Sequence, residues 1–175
     1  MPDRTTHTTE PPPRVGFAAS LDALKPASRE LALAVALHHL DVEHRRIRVH
    51  FAESLGLSAS EFNALMIISD TVQIKPTDLA SELGLTAGSM TALIDRLETL
   101  GLVARHANPA DRRSLLITLS PGGETAKNHV YAHYLDAVSQ ALTDDPTIDN
   151  PATIQALEKT AAAIRRASDV PTLRP

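Results

Sequence analysis

With 175 residues and 43% hydrophobic content, the chain has material for one compact domain of ordinary size plus a tail. The formal net charge of −4 gives no support to a polyanionic partner, although local placement of the basic groups still allows one. The absence of cysteine excludes a disulfide framework, a Cys-type zinc site and thiol-based peroxide sensing.

Residues 1–27 read as an N-terminal extension, at least partly disordered, since the start is polar and carries Pro11-Pro12-Pro13. It has no hydrophobic signal-peptide core, and no apolar run in the chain approaches the roughly 20 residues needed to span a bilayer. A cytoplasmic address is therefore expected. Val15 to Leu24 suits either a short strand or a short helix packed on a partner subunit.

The first long helix is expected from about Ser28 to Leu55, with Leu31, Val35, Leu37, Leu40, Ile47, Phe51 and Leu55 among its apolar positions. Such a helix is too apolar to stand alone and should be buried along much of its course. Ser58-Ala59-Ser60-Glu61 is a capping box, because serine and glutamate three apart can each satisfy the other's free amide. The helix it opens should run through Leu65, Ile67 and Ile68 to about Asp70.

Pro76 to Leu119 reads without a gap as a helix-turn-helix followed by a two-stranded wing, an arrangement that points at duplex DNA. Pro76 suits a first helical position, where its missing amide costs nothing. Leu79, Ala80 and Leu83 share one face, Gly84 can take the left-handed turn conformation, and Leu85 closes the corner. Thr86 is the expected N-cap of the second helix. Met90, Leu93, Ile94, Leu97 and Leu100 then form one buried stripe, and Gly101 ends the helix. The opposite face carries Gly88, Thr91, Ala92, Asp95 and Thr99, flanked by Ser89 and Arg96, which are small or polar as a helix pressed into a major groove requires.

Leu102 to His106 is expected as one strand and Leu115 to Leu119 as the next, with Ala107 to Arg113 as the hairpin tip between them. The adjacent Arg112 and Arg113 would probe phosphate or a narrow minor groove. From Val72 to Leu119, Lys75, Arg96, Arg105, Arg112 and Arg113 are matched by Asp78, Glu82, Asp95, Glu98 and Asp111, so this stretch is neutral. After it, Ser120-Pro121 starts a helix near Gly122 that should reach about Leu142. Thr143 to Asn150 breaks the pattern, and Asn150-Pro151 opens a last helix ending near Ala167. No internal repeat is visible.

The run Leu93-Ile-Asp-Arg-Leu-Glu-Thr-Leu-Gly-Leu-Val-Ala-Arg105, with Asn108-Pro-Ala-Asp-Arg-Arg-Ser114 and Leu119-Ser-Pro-Gly-Gly123, closely resembles the MarR family of bacterial transcriptional regulators. The resemblance covers about Ala27 to Ser168 and is sharpest from Ser69 to Gly123. It implies a homodimer whose terminal helices interlock and whose two winged lobes straddle a pseudo-palindromic operator, many members being repressors released by a small molecule and some activators.

On this chain, the resemblance places Thr86, Gly88, Ser89, Thr91, Ala92 and Arg96 at the major groove and Arg112 and Arg113 on the wing. It also pairs Asp95 with Arg113 and gives Asp111 a part in shaping the wing turn. One departure weakens the grip: Ala92 stands where many relatives carry arginine or another long polar side chain. Direct base readout should be modest and shape readout by the wing correspondingly greater.

The expected fold is thus mainly α with a small β wing, a winged helix-turn-helix lobe at 71–119 flanked by dimerisation helices at 28–70 and 120–168, with a C-terminal tail at 169–175. Its partners would be double-stranded DNA, a second copy of itself and a small-molecule effector, with no cofactor and no membrane. The resemblance implies an effector pocket where the dimer helices meet the lobe. The region to search includes His38, Val42, Arg45, Phe62 and Met66.

Two alternatives share the fold. A metal-responsive regulator could use His129 and His133, four apart on one helix face, with Glu43 or His44 as further ligands, although spacing fixes no third ligand and metal is not favoured. A winged-helix module could instead bind protein. Catalysis is not expected, since the chain has no glycine-rich phosphate loop, nucleophile elbow or His-Glu-x-x-His pattern.

Overall fold

A computed structural model describes residues 16–23 and 27–168, apart from the side chains of residues 112, 113 and 168. The expected disorder of the first residues and the 169–175 tail lie outside the described residues. The chain divides into two compact units between Phe62 and Asn63.

In the first unit, the stretch left open between strand and helix is a short helix, α1 (Phe17–Asp22). It lies on α2 (Ser28–Ser54), where the Phe17 and His38 rings stack at 4.0 Å. The expectation that α2 is buried along much of its course is not met in the single chain. Only Phe51 and Ala52 on it are buried, while Leu33, Leu40 and Val49 stand 51%, 45% and 50% exposed. Among the described residues of the first unit, the other complete helix, α1, has only six residues against the 27 of α2. Its C-terminal end turns through Gly56, φ +65°, and Phe51 stacks on Phe62 with ring centroids 6.4 Å apart.

The capping box closes as its spacing predicts. The Ser58 amide donates to Glu61 Oε2 at 2.7 Å, and the Glu61 amide donates to Ser58 Oγ at 3.3 Å. It opens α3 (Ala59–Ser69), within which the boundary between the units falls. Ser58→Ala removes one acceptor and should cost about 1 kcal/mol, read as a shift in urea midpoint. A shift under about a third of that would mean that water replaces the cap.

The second unit holds the helix-turn-helix. Helix α4 (Pro76–Leu83) ends in Gly84 at φ 64°, ψ 31°, and the Leu85 amide donates back to the Ala80 carbonyl at 2.9 Å. Helix α5 (Ala87–Thr99) follows, with Met90, Leu93, Ile94 and Leu97 buried as their spacing requires; Leu100, expected in the same stripe, is 37% exposed just past the helix end, where Gly101 reverses the chain at φ +70°. The wing is an antiparallel pair, β1 (Val103–Asn108) and β2 (Asp111–Leu119).

Three features of the wing differ from the sequence expectation. The strands run further than expected, so the connection is only Pro109-Ala110 rather than all of Ala107 to Arg113. The register jumps from Ala107↔Leu115 to Asn108↔Asp111, which places Arg112, Arg113 and Ser114 in a bulge of β2. A short third rung also forms, since the amides and carbonyls of Ile74 and Ile117 exchange hydrogen bonds at 3.0 and 2.8 Å. That rung ties the segment entering α4 to the wing.

Helix α6 (Pro121–Asp144) starts at Ser120, whose hydroxyl accepts from the Gly123 amide at 3.1 Å. It passes the expected end at Leu142 and stops where Asp145 caps a 3-10 turn, Pro146–Ile148. The Thr147 hydroxyl and amide both donate to the Asp145 carboxylate and hold its pKa below the usual range. Helix α7 (Pro151–Ser168) then opens on Asn150, whose Oδ1 accepts from the Ala152 amide at 2.8 Å.

The core of the second unit is aliphatic. Leu65, Ile68, Leu79, Leu97 and Ile117 are fully buried, and Ala126 and Val130 carry the near half of α6 into the same unit.

Candidate nucleic-acid interface

Helix α5 presents two unlike faces because its sequence has two unlike periodicities. Its buried stripe fixes the helix to the lobe, and its remaining side chains are held outward. Thr86, Gly88, Ser89, Thr91, Ala92, Asp95, Arg96 and Thr99 are all exposed, so the structure brings the whole sequence-predicted helix set onto one accessible surface.

The polar groups on this surface are partly committed to the helix itself. Thr86 Oγ1 accepts from the Ser89 amide at 3.2 Å and lies 2.9 Å from Ser89 Oγ. Thr91 Oγ1 donates to the Ala87 carbonyl at 3.0 Å, and Thr99 Oγ1 does the same to Asp95 at 2.8 Å. Gly88 has open space around the position of a side chain, with nothing within 4 Å. The result is a low, smooth surface with hydroxyl oxygens and methyl groups and few long side chains.

The base of the helix is braced by a group that sequence reasoning did not single out. Arg105, on β1, donates through Nη2 to Asp95 Oδ1 at 2.5 Å and through Nη1 to Glu98 Oε2 at 2.6 Å. Asp95 and Glu98 are one turn apart on α5, and the reversal at Gly101 brings β1 back alongside them. Those three residues together were the available signal. The Arg105 side chain is 24% exposed, so the energy is modest, but a fork held by two carboxylates fixes the angle between helix and wing. The expected Asp95 to Arg113 pair involves a side chain outside the described residues.

At the wing tip, Asn108 is buried to 8% exposure and its Oδ1 accepts from the Ala110 amide at 3.0 Å, an Asx turn. Its Nδ2 donates to Ser114 Oγ at 2.8 Å, and that hydroxyl donates to the Asp111 carbonyl at 3.1 Å. Asn108 and the Asp111 carbonyl therefore both take part in shaping the turn. The backbone of Arg112 and Arg113 lies in the adjoining bulge, and their side chains lie outside the described residues.

The remaining candidates stand apart from this surface. His38 is half-buried against Phe17, and Val42 and Met66 are half-buried. Arg45 is exposed and paired with Asp41 at 2.8 Å. Phe62, at 2% exposure, is a core side chain. His129 and His133 have ring centroids 4.4 Å apart, with His133 Nδ1 3.2 Å from the His129 carbonyl. Among the described residues, no group of three or more His, Asp or Glu side chains is placed to hold a metal. Nor, among those residues, is any helix long and apolar enough to cross a membrane.

A helix-turn-helix with a hydrogen-bonded hairpin beside its second helix defines a winged-helix protein. Residues 57–115 match the model of the MarR family. The chain is 29% identical over 129 residues to the multiple antibiotic resistance protein MarR of Escherichia coli strain K12, covering 74% of this chain and 90% of that protein. Among solved structures, wild-type Escherichia coli MarR in its apo form superposes with a TM-score of 0.56 at 29% identity, covering 74% of this chain and 95% of that one. A mutant Escherichia coli MarR complexed with operator DNA gives a TM-score of 0.52 at 28% identity, covering 76% and 95%. The winged lobe of this chain is thus similar to the MarR family.

Proposed function

We propose that the protein is a sequence-specific DNA-binding transcriptional regulator, a repressor, that grips a pseudo-palindromic operator as a homodimer and is released by a small-molecule effector. The observation that carries this reading is the exposed, short-chained face of α5, fixed from behind by the buried Met90, Leu93, Ile94 and Leu97 and flanked by the wing. A major groove about 12 Å wide admits a helix, and short side chains let its backbone approach the base edges. The operator-bound MarR structure, similar over most of this chain, supports the same assignment.

In this reading Thr86, Ser89, Thr91 and Arg96 act on the major-groove side, and Arg112 and Arg113 reach the minor groove from the wing. The lobe as a whole is neutral, so the electrostatic grip is concentrated at the wing. Dimerisation is supported by large apolar side chains left open on three helices: Leu33, Leu40 and Val49 on α2, Leu135 and Val138 on α6, and Ile154 and Leu157 on α7. With duplex DNA as partner, the reading places the protein in the cytoplasm.

Selection of bound duplexes from a random pool tests this directly. A palindrome with half-sites about one helical turn apart is expected, and no retention of duplex even at low salt would sink the reading. Arg113→Ala should weaken binding to the selected operator, most where its minor groove is narrow, and lower the salt slope by about 1. Unchanged affinity in that variant, with Thr91→Val weakened, would remove the wing from the mechanism.

A further inference from the structure

Helix α5 is acidic by its own sequence. Its charged residues are Asp95, Arg96 and Glu98, so the helix that would lie between two phosphate backbones carries two carboxylates and one guanidinium. Asp95 stands on the outer face with Gly88, Thr91 and Thr99, and Glu98 follows one turn on. Their side chains are 57% and 41% exposed, open to whatever surface the helix approaches.

A major groove is about 12 Å wide, so a carboxylate on the outer face of an inserted helix comes within about one Debye length, ~8 Å at physiological salt, of phosphates. Left to themselves, the two charges would oppose binding. Arg105 meets both, Nη2 on Asp95 and Nη1 on Glu98, so each carboxylate has its own guanidinium nitrogen. The Arg105 side chain is only 24% exposed, set back from the surface the carboxylates occupy. The pairing turns both carboxylates towards β1, and with Arg105 counted the charges on this helix cancel. Exposed carboxylates would be hydrated without a partner, so the fold gains little from the pairing. Its larger consequence falls on the surface that approaches DNA.

We propose that Arg105 is a positioning residue for DNA binding, acting through Asp95 and Glu98: it draws both carboxylates to the wing side of α5 and cancels their charge where the helix faces phosphate, without touching the duplex itself. The inference rests on the DNA-binding reading above. It goes beyond a mechanical brace, because a brace needs the carboxylates, whereas charge cancellation is needed only because they are there.

The test uses the full chain and the duplex selected from the random pool. Affinity is measured at about 50 mM and about 300 mM salt, and a thermal midpoint is taken for each variant. The Asp95→Asn, Glu98→Gln protein keeps Arg105 with no charge left to cancel, and it should bind threefold or more tighter than the parent at the lower salt. Arg105→Gln should bind about tenfold weaker at the lower salt and within threefold of the parent at the higher, where screening removes the repulsion. Arg105→Lys keeps the charge without the planar fork and should stay within threefold of the parent. Adding Asp95→Asn and Glu98→Gln to Arg105→Gln should restore binding to within threefold.

Weaker binding by the Asp95→Asn, Glu98→Gln protein would overturn the proposal and mark Arg105 as a brace. A triple variant as weak as Arg105→Gln would overturn it in favour of a direct phosphate contact by Arg105. So would parental affinity in Arg105→Gln, or an Arg105→Lys protein as weak as Arg105→Gln. Should Arg105→Gln fail to fold, the sign of the change in the Asp95→Asn, Glu98→Gln protein decides alone. If the parent retains no duplex even at low salt, the DNA-binding reading itself has failed and the proposal falls with it.

Discussion

Replacing Gly123 with alanine should destabilise the protein by about 1–3 kcal/mol, although glycine-to-alanine changes inside helices ordinarily stabilise by about 0.5–1 kcal/mol. The sign reverses because of what the new methyl group meets. A Cβ at this position would overlap the Leu102 carbonyl oxygen and press on Leu119 Cδ2 at 3.1 Å. The carbonyl cannot swing away without cost, since it already accepts from the Ser120 amide at 3.1 Å. Gly122→Ala meets the Gly101 carbonyl oxygen at 2.5 Å and should act in the same direction. Urea denaturation checks both variants, and a Gly123→Ala protein within about 0.5 kcal/mol of the parent would mean that α6 shifts off its seat at no cost. Such a shift would also weaken the case for a rigid joint between α5 and α6.

Gly88→Leu should have the opposite profile, leaving the fold intact or slightly more stable while binding to duplex DNA falls. Nothing in the chain lies within 4 Å of the added Cβ, and leucine is a better helix former than glycine by somewhat under 1 kcal/mol. The described residues thus leave this position open, as the close approach of another surface in the proposed reading would require. A leucine that holds α5 out of the groove should cost about as much as a mismatched base pair, ~1–3 kcal/mol or roughly five- to 150-fold in affinity. Unchanged operator affinity in a folded Gly88→Leu protein would show that this end of α5 does not enter the groove. Paired with Gly123→Ala, the variant separates the two uses of glycine in one lobe: one admits a neighbour already present, and the other leaves room for one still to come.

Arg105 shows where the reading of the site was incomplete. Asp95 was expected to hold Arg113, whose side chain lies outside the described residues; the arginine seen on Asp95 is Arg105 on β1, shared with Glu98. One turn of α5, one tight reversal and two residues of strand bring that partner back, so the pair is local in space only because Gly101 adopts a positive φ. The wing tip followed a similar course. Asn108-Pro109 announced a bend, but the bulge that carries Arg112 and Arg113 depends on strand register, and register is decided by pairing across the hairpin.

What the amino-acid order determined by itself was everything governed by contacts a few residues apart. The Ser58–Glu61 box, the caps at Thr86, Ser120 and Asn150, the reversal at Gly84 and the buried stripe of α5 all follow from spacing, because the groups that satisfy one another are neighbours along the chain. Tertiary structure alone decided the pairing of Ile74 with Ile117, the sharing of Arg105 between Asp95 and Glu98, the close seat of α6 on the Gly101 and Leu102 carbonyls, and the bond from Tyr131 to Asp70. These contacts join segments up to 61 residues apart, and their geometry depends on how each helix is carried by the packing beneath it. Hydrophobic periodicity says which face of a helix is buried, and only the packed core says what the opposite face will meet.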